Sequence, residues 1–503
     1  MSNAEPPPNR LPPAAVALIV LLPVLLVLAL AAPLGAAWAW GRRHQPAASE
    51  SSRYDPNATD GSRGVGDPYY PNAGNGGYDV ARYQIGVSWD PGTSVLTGHT
   101  TVTARATHPL HSFYLDLALD ISRITVDGQV AGLAKEGFSD WRITPAAPVA
   151  GGADFTVVVD YAGRPGKLRS EGASPWRSSG EEWTVAGEPE SSAWWYPAND
   201  HPSDPALMDI SVRVPAGLQA VSVGRLESRD SADERDWDTW HWVSRQPMAT
   251  YLAFVSIGHF ALEQGVVDGL PYVYAVTERL TADERRTAFA VLQTSAAKVR
   301  VLSTLFGPYP FTELGGIAVA ADLPFDGLEA QARPVYKARS VLDPRYSGQL
   351  VTHELAHMWF GDHVTVAQWN DIFDSEAYAS WAFWAWQEKT GGPSAQSELT
   401  RLYDRFAGDE DFWRVTMTDP GRADLFTTVY LRGPMALQAL RNVMGDAAFA
   451  RLNTEWAQDP GSRSLEQWMA KAQSLTPVDL GPFFQAWLAA PTAPARTAAN
   501  GLG

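Results

Sequence analysis

Cysteine is missing altogether from the 503 residues. Its absence removes disulfide frameworks, thiolate metal sites and cysteine nucleophiles together. Basic residues are few: 39 Lys and Arg stand against 56 Asp and Glu, a formal charge of -17 with histidine neutral. A surface of that sign repels phosphate backbones and argues against a nucleic-acid partner. Histidine is rarer still, at 10, so any bound metal must be held by a small set of His, Asp and Glu. What the chain does have is apolar and aromatic matter, 45% hydrophobic and 11% aromatic. That is too much for disorder and, over this length, enough for two or three packed domains.

The first 40 residues stand apart. Ala14 to Trp40 carries no charge, and Leu18 to Leu30 is aliphatic apart from Pro23. At about 1.5 Å per residue the stretch can cross the roughly 30 Å of bilayer hydrocarbon. A transmembrane anchor is the expectation, with a cleaved signal segment as the alternative, since Ala37-Trp38-Ala39 offers a small-x-small cleavage site. Residues 41–78, rich in Gly, Ser, Asn and Pro, read as a flexible linker. Arg42 and Arg43 after the span outnumber Arg10 before it, which by the positive-inside count keeps the following domain in the cytoplasm. Long domains translocate despite such a bias, and the stalk-like linker favours an extracytoplasmic location for the folded domain that follows, secreted if the segment is cleaved.

From Tyr78 onward the hydrophobic period is two. Tyr83, Ile85, Val87 and Trp89 alternate with polar or small residues, and so do Phe113 to Leu119 and Phe155 to Tyr161. Asp127-Gly128 is a hairpin turn signal. Residues 79–268 are predicted to form an antiparallel β domain. Near residue 281 the period lengthens: Thr281 and Glu284 make a capping box ahead of Phe289, Val291 and Leu292. Gly315 to Ala321 reads as one buried strand, helices dominate to about 490, and residues 491–503 read as a loose tail. The fold class is therefore α+β.

The chemistry lies in Thr352-His353-Glu354-Leu355-Ala356-His357. On a helix the two histidines stand one turn apart on one face and can reach one metal ion, with Glu354 beside them as a base rather than a ligand. A catalytic zinc site takes three protein ligands and keeps an open position. Glu376, with eighteen residues between it and His357 and lying within Trp369 to Ala379, supplies the third at the start of a second helix. One Zn2+ per chain is expected.

The stretch His353 to Trp381 resembles the zinc site of the aminopeptidase N family of gluzincin metallopeptidases. Helix motif, gap, and the placing of Trp369 and Glu376 all match. Ser192 to Pro202 is similar to the aromatic-proline-Asp-x-Pro block of that family's N-terminal domain. The resemblance implies a β saddle domain followed by a thermolysin-like, mostly helical catalytic domain, without the large C-terminal helical domain of many members. It also implies peptide substrates with a free α-amine. Three further residues follow from it. Glu329, in Asp326-Gly327-Leu328-Glu329-Ala330, matches only the glutamate of the family's Gly-Ala-Met-Glu-Asn strand and is the expected amine anchor. Glu188 stands at the position of the second amine-binding glutamate, with Glu190 two residues away as an alternative and Ala186 where a glutamine is usual. Tyr430, followed by Arg432-Gly433, matches the tyrosine that donates to the oxyanion. Asp374-Ser375 departs from the usual Leu-Asn before the third ligand.

These residues give the expected mechanism of a zinc aminopeptidase: Glu354 as general base, Tyr430 on the oxyanion, Glu329 and Glu188 on the substrate's ammonium. Two rivals remain. One is an epoxide-hydrolase-like relative, which uses features of a C-terminal domain. The other is a catalytically impaired scaffold or binding protein, whose mark would be a lost ligand, base or tyrosine.

Overall fold

The computed structural model describes residues 60–231 and 236–503. The expected membrane anchor lies outside the described residues, and no helix among those described is long and apolar enough to cross a membrane.

Alternating burial along Tyr78–Asp90, Val95–Ala106, Asp154–Gly163 and Ala206–Pro215 makes each a strand with one apolar face. They form the centre of an eight-stranded sheet, in the order 225–230, 237–248, 206–215, 78–90, 95–106, 154–163, 120–126 and 129–130. One pairing departs from the antiparallel expectation: Tyr78–Asp90 runs parallel to Ala206–Pro215. The reason is topological, because residues 164–205 leave the sheet to build a second, smaller one and the loop carrying Glu188. Asp127-Gly128 turns the last hairpin with φ of 49° and 78°, the left-handed pair its sequence signals.

The linker expected to run to Tyr78 ends sooner. From Asp60 the chain is bonded into the fold: Gly61 N donates to Ser112 O at 2.7 Å and Gly64 N to Gly74 O at 2.9 Å, and Asp67 and Asn75 are buried. Gly, Asn and Pro here serve a close-packed irregular strap rather than a free coil. The domain boundary expected between 268 and 269 also moves. It falls inside a hairpin, because Phe260–Val267, an edge strand of a five-stranded sheet, pairs with Leu270–Thr277. That sheet continues through Leu314–Val319 and Val335–Lys337 to the short edge strand Gly327–Leu328. The Thr281–Glu284 capping box is present and starts the helix Ala282–Leu292.

Helices then pack around Ser347–Ala356, Tyr378–Lys389 and Val429–Met444. Arg432 is fully buried and donates to Trp413 O, Val415 O, Trp487 O and Ala490 O, tying distant segments to one helix. Residues 491–503 are not a loose tail. Tyr403 OH bonds Pro494 O, Trp487 Nε1 donates to Asn500 O, and Asn442 Nδ2 donates to Gly501 O. Small and proline-rich composition hid a segment held by its backbone carbonyls.

Candidate metal and active site

The helix Ser347–Ala356 carries His353 and Glu354, and His357 caps its C-terminal end. Nδ1 of His357 donates to Phe360 O at 2.9 Å, with Ser375 Oγ 3.1 Å from the same nitrogen. That bond fixes the tautomer and leaves Nε2 with a free lone pair, the state a metal ligand needs. The expected second helix begins irregularly: a 3-10 turn at Trp369–Asp371, a π turn at Phe373–Ala377, then regular helix from Tyr378. Glu376 sits on the π turn, buried to 3% exposure.

Three ligand atoms converge. Nε2 of His353 and Nε2 of His357 are 3.1 Å apart, and Oε2 of Glu376 lies 3.1 Å from the first and 3.5 Å from the second. Tetrahedral zinc with bonds of about 2.0–2.1 Å requires ligand separations of about 3.3 Å. Two imidazole nitrogens facing each other at this distance repel unless a cation or proton lies between them. Oε2 of Glu376 is buried without a hydrogen bond, a lone pair left for a partner that is not protein. The donor set fits zinc.

Carboxylates crowd the same space. Oxygens of Glu329 and Glu354 come within 4.8 Å of a ligand atom of His357. Burial, then the neighbouring carboxylates, pushes the Glu354 carboxyl well above its ordinary range, although His357 opposes this. Burial, then Glu329 and Glu376, does the same to Glu188. Glu376 is opposite in outcome: burial would raise it, but His357 and His353 hold it below the ordinary carboxylate range. So much negative charge in one buried place calls for cations, and both a metal dication and a substrate ammonium would answer it.

Each expected residue has a structural support. Glu354 fits only because residue 327 is glycine; a Cβ there would stand 2.3 Å from Glu354 Oε1. Glu329 follows directly on that edge strand, and its Oε1 accepts from Tyr251 OH at 2.8 Å. Tyr430, in the first turn of Val429–Met444, donates to Glu376 Oε1 at 3.0 Å. Burial, then Glu376, keeps its phenol far above the usual range, so it stays a donor. Gly433 lets that helix approach the π turn, since a Cβ would lie 2.5 Å from the Ala377 Cβ. Of the two candidate glutamates, Glu188 lies in the field of Glu329 and Glu376. Glu190 instead neighbours Asp200 and Arg422, and burial raises it to about 7.

Sequence reasoning missed Tyr251, Ser375 and Asp67. Tyr251 belongs to a β-domain turn, is 3% exposed, and stacks edge-on against Trp369 at 5.4 Å. Asp67 accepts from Trp369 N at 2.7 Å and faces His201 Nε2 at 3.2 Å. No local pattern could have found either, because both act across the domain junction. Ser375 was legible as a departure from the family pattern; its contact with His357 gives that departure a physical content. Its neighbour Asp374 is buried with both oxygens unpartnered among the described residues.

Residues 292–467 match the peptidase family M1 domain. The catalytic half is a family M1 peptidase domain. The solved structure of the M1 zinc metallopeptidase from Deinococcus radiodurans superposes with a TM-score of 0.76 at 26% identity, covering 86% of this chain and 98% of that one. A mutant of that protein bound to a Tyr-Ser-Ala substrate gives 0.75, covering 86% and 99%. The two-domain M1 architecture, a β domain followed by a helical zinc peptidase domain, is thus the fold of this chain. Aminopeptidase N of Acetobacter pasteurianus is 25% identical over 318 residues, 59% of this chain and 88% of its own length. A probable M1 family aminopeptidase 2 of Encephalitozoon cuniculi is 24% identical over 54% of this chain and 34% of its own. The chain spans about a third of the length of the first curated relatives it matches.

Proposed function

We propose that the M1 domain of this chain is a zinc-dependent aminopeptidase that hydrolyses the first peptide bond of peptides with a free α-amine. One observation carries the reading: a three-cornered ligand set of zinc dimensions with the carboxylates of Glu354 and Glu329 close beside it and Glu188 in their field. His353, His357 and Glu376 would hold the metal. Zinc, when bound, supplies Lewis acidity for water and for the scissile carbonyl. Glu354 takes the proton of the attacking water and passes it to the departing amine. The Tyr430 hydroxyl leaves Glu376 Oε1 and donates to the developing oxyanion, where the gain belongs to the transition state. Tyr251 fixes the Glu329 carboxylate by occupying Oε1, which leaves Oε2 for the substrate ammonium. Glu188 approaches from the β domain, and the pair sets the register of the first bond.

Zinc content measured beside hydrolysis of aminoacyl fluorogenic amides and their N-acetylated counterparts tests this reading. Stoichiometric zinc and cleavage of the free-amine series alone is the expected result. Cleavage of acetylated or internal bonds equally well makes the protein an endopeptidase, and absence of stoichiometric metal removes the catalytic reading.

The uncharged stretch Ala14 to Trp40 supports a further part of the proposal, an anchored enzyme with its catalytic domain outside the cytoplasm. The full chain should fractionate with membranes, and a chain starting near residue 46 should be soluble and active. Cutting between residues 41 and 59 by protease added to intact cells fits that topology; cutting only after lysis reverses it.

A further inference from the structure

Beyond the metal ligands, charged and aromatic groups follow one another toward the surface. Glu188 lies in the field of Glu376 and Glu329. The Tyr70 phenol comes next, in the field of Glu190 and Glu188, its ring linked through Trp369 to Tyr251, the donor to Glu329. The Arg422 guanidinium sits over the Tyr70 ring, 4.8 Å from its centre, and donates to Glu171 Oε2 at 2.8 Å. These three residues come from three parts of the chain. Tyr70 belongs to the strap before the β domain, Glu171 to a β-domain turn, and Arg422 to a short turn ahead of the Tyr430 helix.

The strap is seated firmly enough to hold Tyr70 there. Asp67 Oδ1 accepts from the Tyr69 and Tyr70 backbone nitrogens at 2.8 Å each. The Tyr70 ring packs edge-on against Trp369 at 6.1 Å. Tyr69 OH bonds Asp419 and accepts from Gly421 N at 2.9 Å, on the segment that carries Arg422.

We propose that Tyr70, Arg422 and Glu171 form an end wall of the substrate cleft beyond the amine anchors, refusing any chain that continues upstream of the first residue. The inference rests on the aminopeptidase reading and deepens it. An ammonium anchor alone weakens a blocked substrate but leaves it room; a wall removes the room. The two devices separate experimentally, because loss of the anchor impairs free-amine substrates whereas loss of the wall admits extended ones.

The test compares kcat/KM for an aminoacyl amide, its N-acetylated form, and a quenched peptide carrying one extra upstream residue. Tyr70→Ala and Arg422→Ala should each raise the extended-to-free ratio by about tenfold, the scale on which pocket shape discriminates. Tyr70→Phe keeps the ring and should raise it less. Arg422→Glu should open the wall, and adding Glu171→Arg should restore the wild-type ratio. Glu171→Gln touches a side chain 57% exposed and keeps the test decisive if a larger change unfolds the protein. Variants that still cut the free-amine substrate at the wild-type ratio overturn the wall and leave the aminopeptidase reading intact. A wild-type enzyme that ignores free-amine substrates overturns both.

Discussion

The catalytic half sets its groups on helices: His353 and His357 one turn apart, Glu376 on the π turn leading into the next helix, Tyr430 in the first turn of a third. The β half reaches the same space with loops, Glu188 beside the small sheet and Tyr251 on a 3-10 turn. Chemistry is thus carried by elements whose internal geometry is fixed by hydrogen bonds. In the proposed function, selection of the substrate's end is shared between domains and depends on how they meet. A change in the first kind of residue should abolish turnover, whereas a change in the second should redistribute it among substrates.

The largest effect expected is at the base and the metal. Glu354→Gln should keep zinc and lower kcat by about 10²–10⁴-fold or more, while His357→Ala should lose the metal as read by elemental analysis. Tyr430→Phe comes next, costing about 10²–10³ in kcat with little change in KM, because its donation to the substrate is made in the transition state. An unchanged kcat would assign the oxyanion to another donor. Glu329→Ala removes a charge-assisted contact of roughly 1.5–3 kcal/mol, one to two orders of magnitude in kcat/KM for free-amine substrates. Its signature is selectivity: the gap between free and acetylated substrates should narrow while zinc stays bound. Smallest is Tyr251→Phe, which frees Glu329 Oε1 from one hydrogen bond worth about 0.5–1.5 kcal/mol. KM for free-amine amides should rise a few-fold with kcat held, and a fall in kcat alone would place Tyr251 on the chemistry side of the comparison.

The same division decided what could be read from the sequence. Residues at fixed helical spacing were legible, because i, i+4 geometry places His353 and His357 without knowledge of anything else. Alternation in Tyr83 to Trp89 and the Thr281–Glu284 box were legible for the same local reason. The parallel pairing of Tyr78–Asp90 was not, since strand order depends on where a long excursion returns. Nor was the strap at 60–77, whose Gly, Asn and Pro are the residues of linkers and of tight irregular packing alike. Composition cannot separate the two; buried Asp67 and Asn75 do. Arg432 shows the intermediate case: the motif found its position, while its four carbonyl partners came from parts of the chain far away.

The π turn at Phe373–Ala377 carries a lesson for chain-length variation. A π turn accommodates one more residue than the α-helical turn it interrupts. Remove a single residue there, and the backbone can heal into regular helix with its hydrogen bonds intact. The segments on either side would keep nearly their relative orientation, since four α-helical residues turn through about the same angle as five in a π turn. Only side chains inside the turn, Glu376 among them, would be redistributed. A one-residue deletion at this turn is therefore a route by which a peptidase lineage could disturb its third metal ligand in a single genetic event and keep a stable protein.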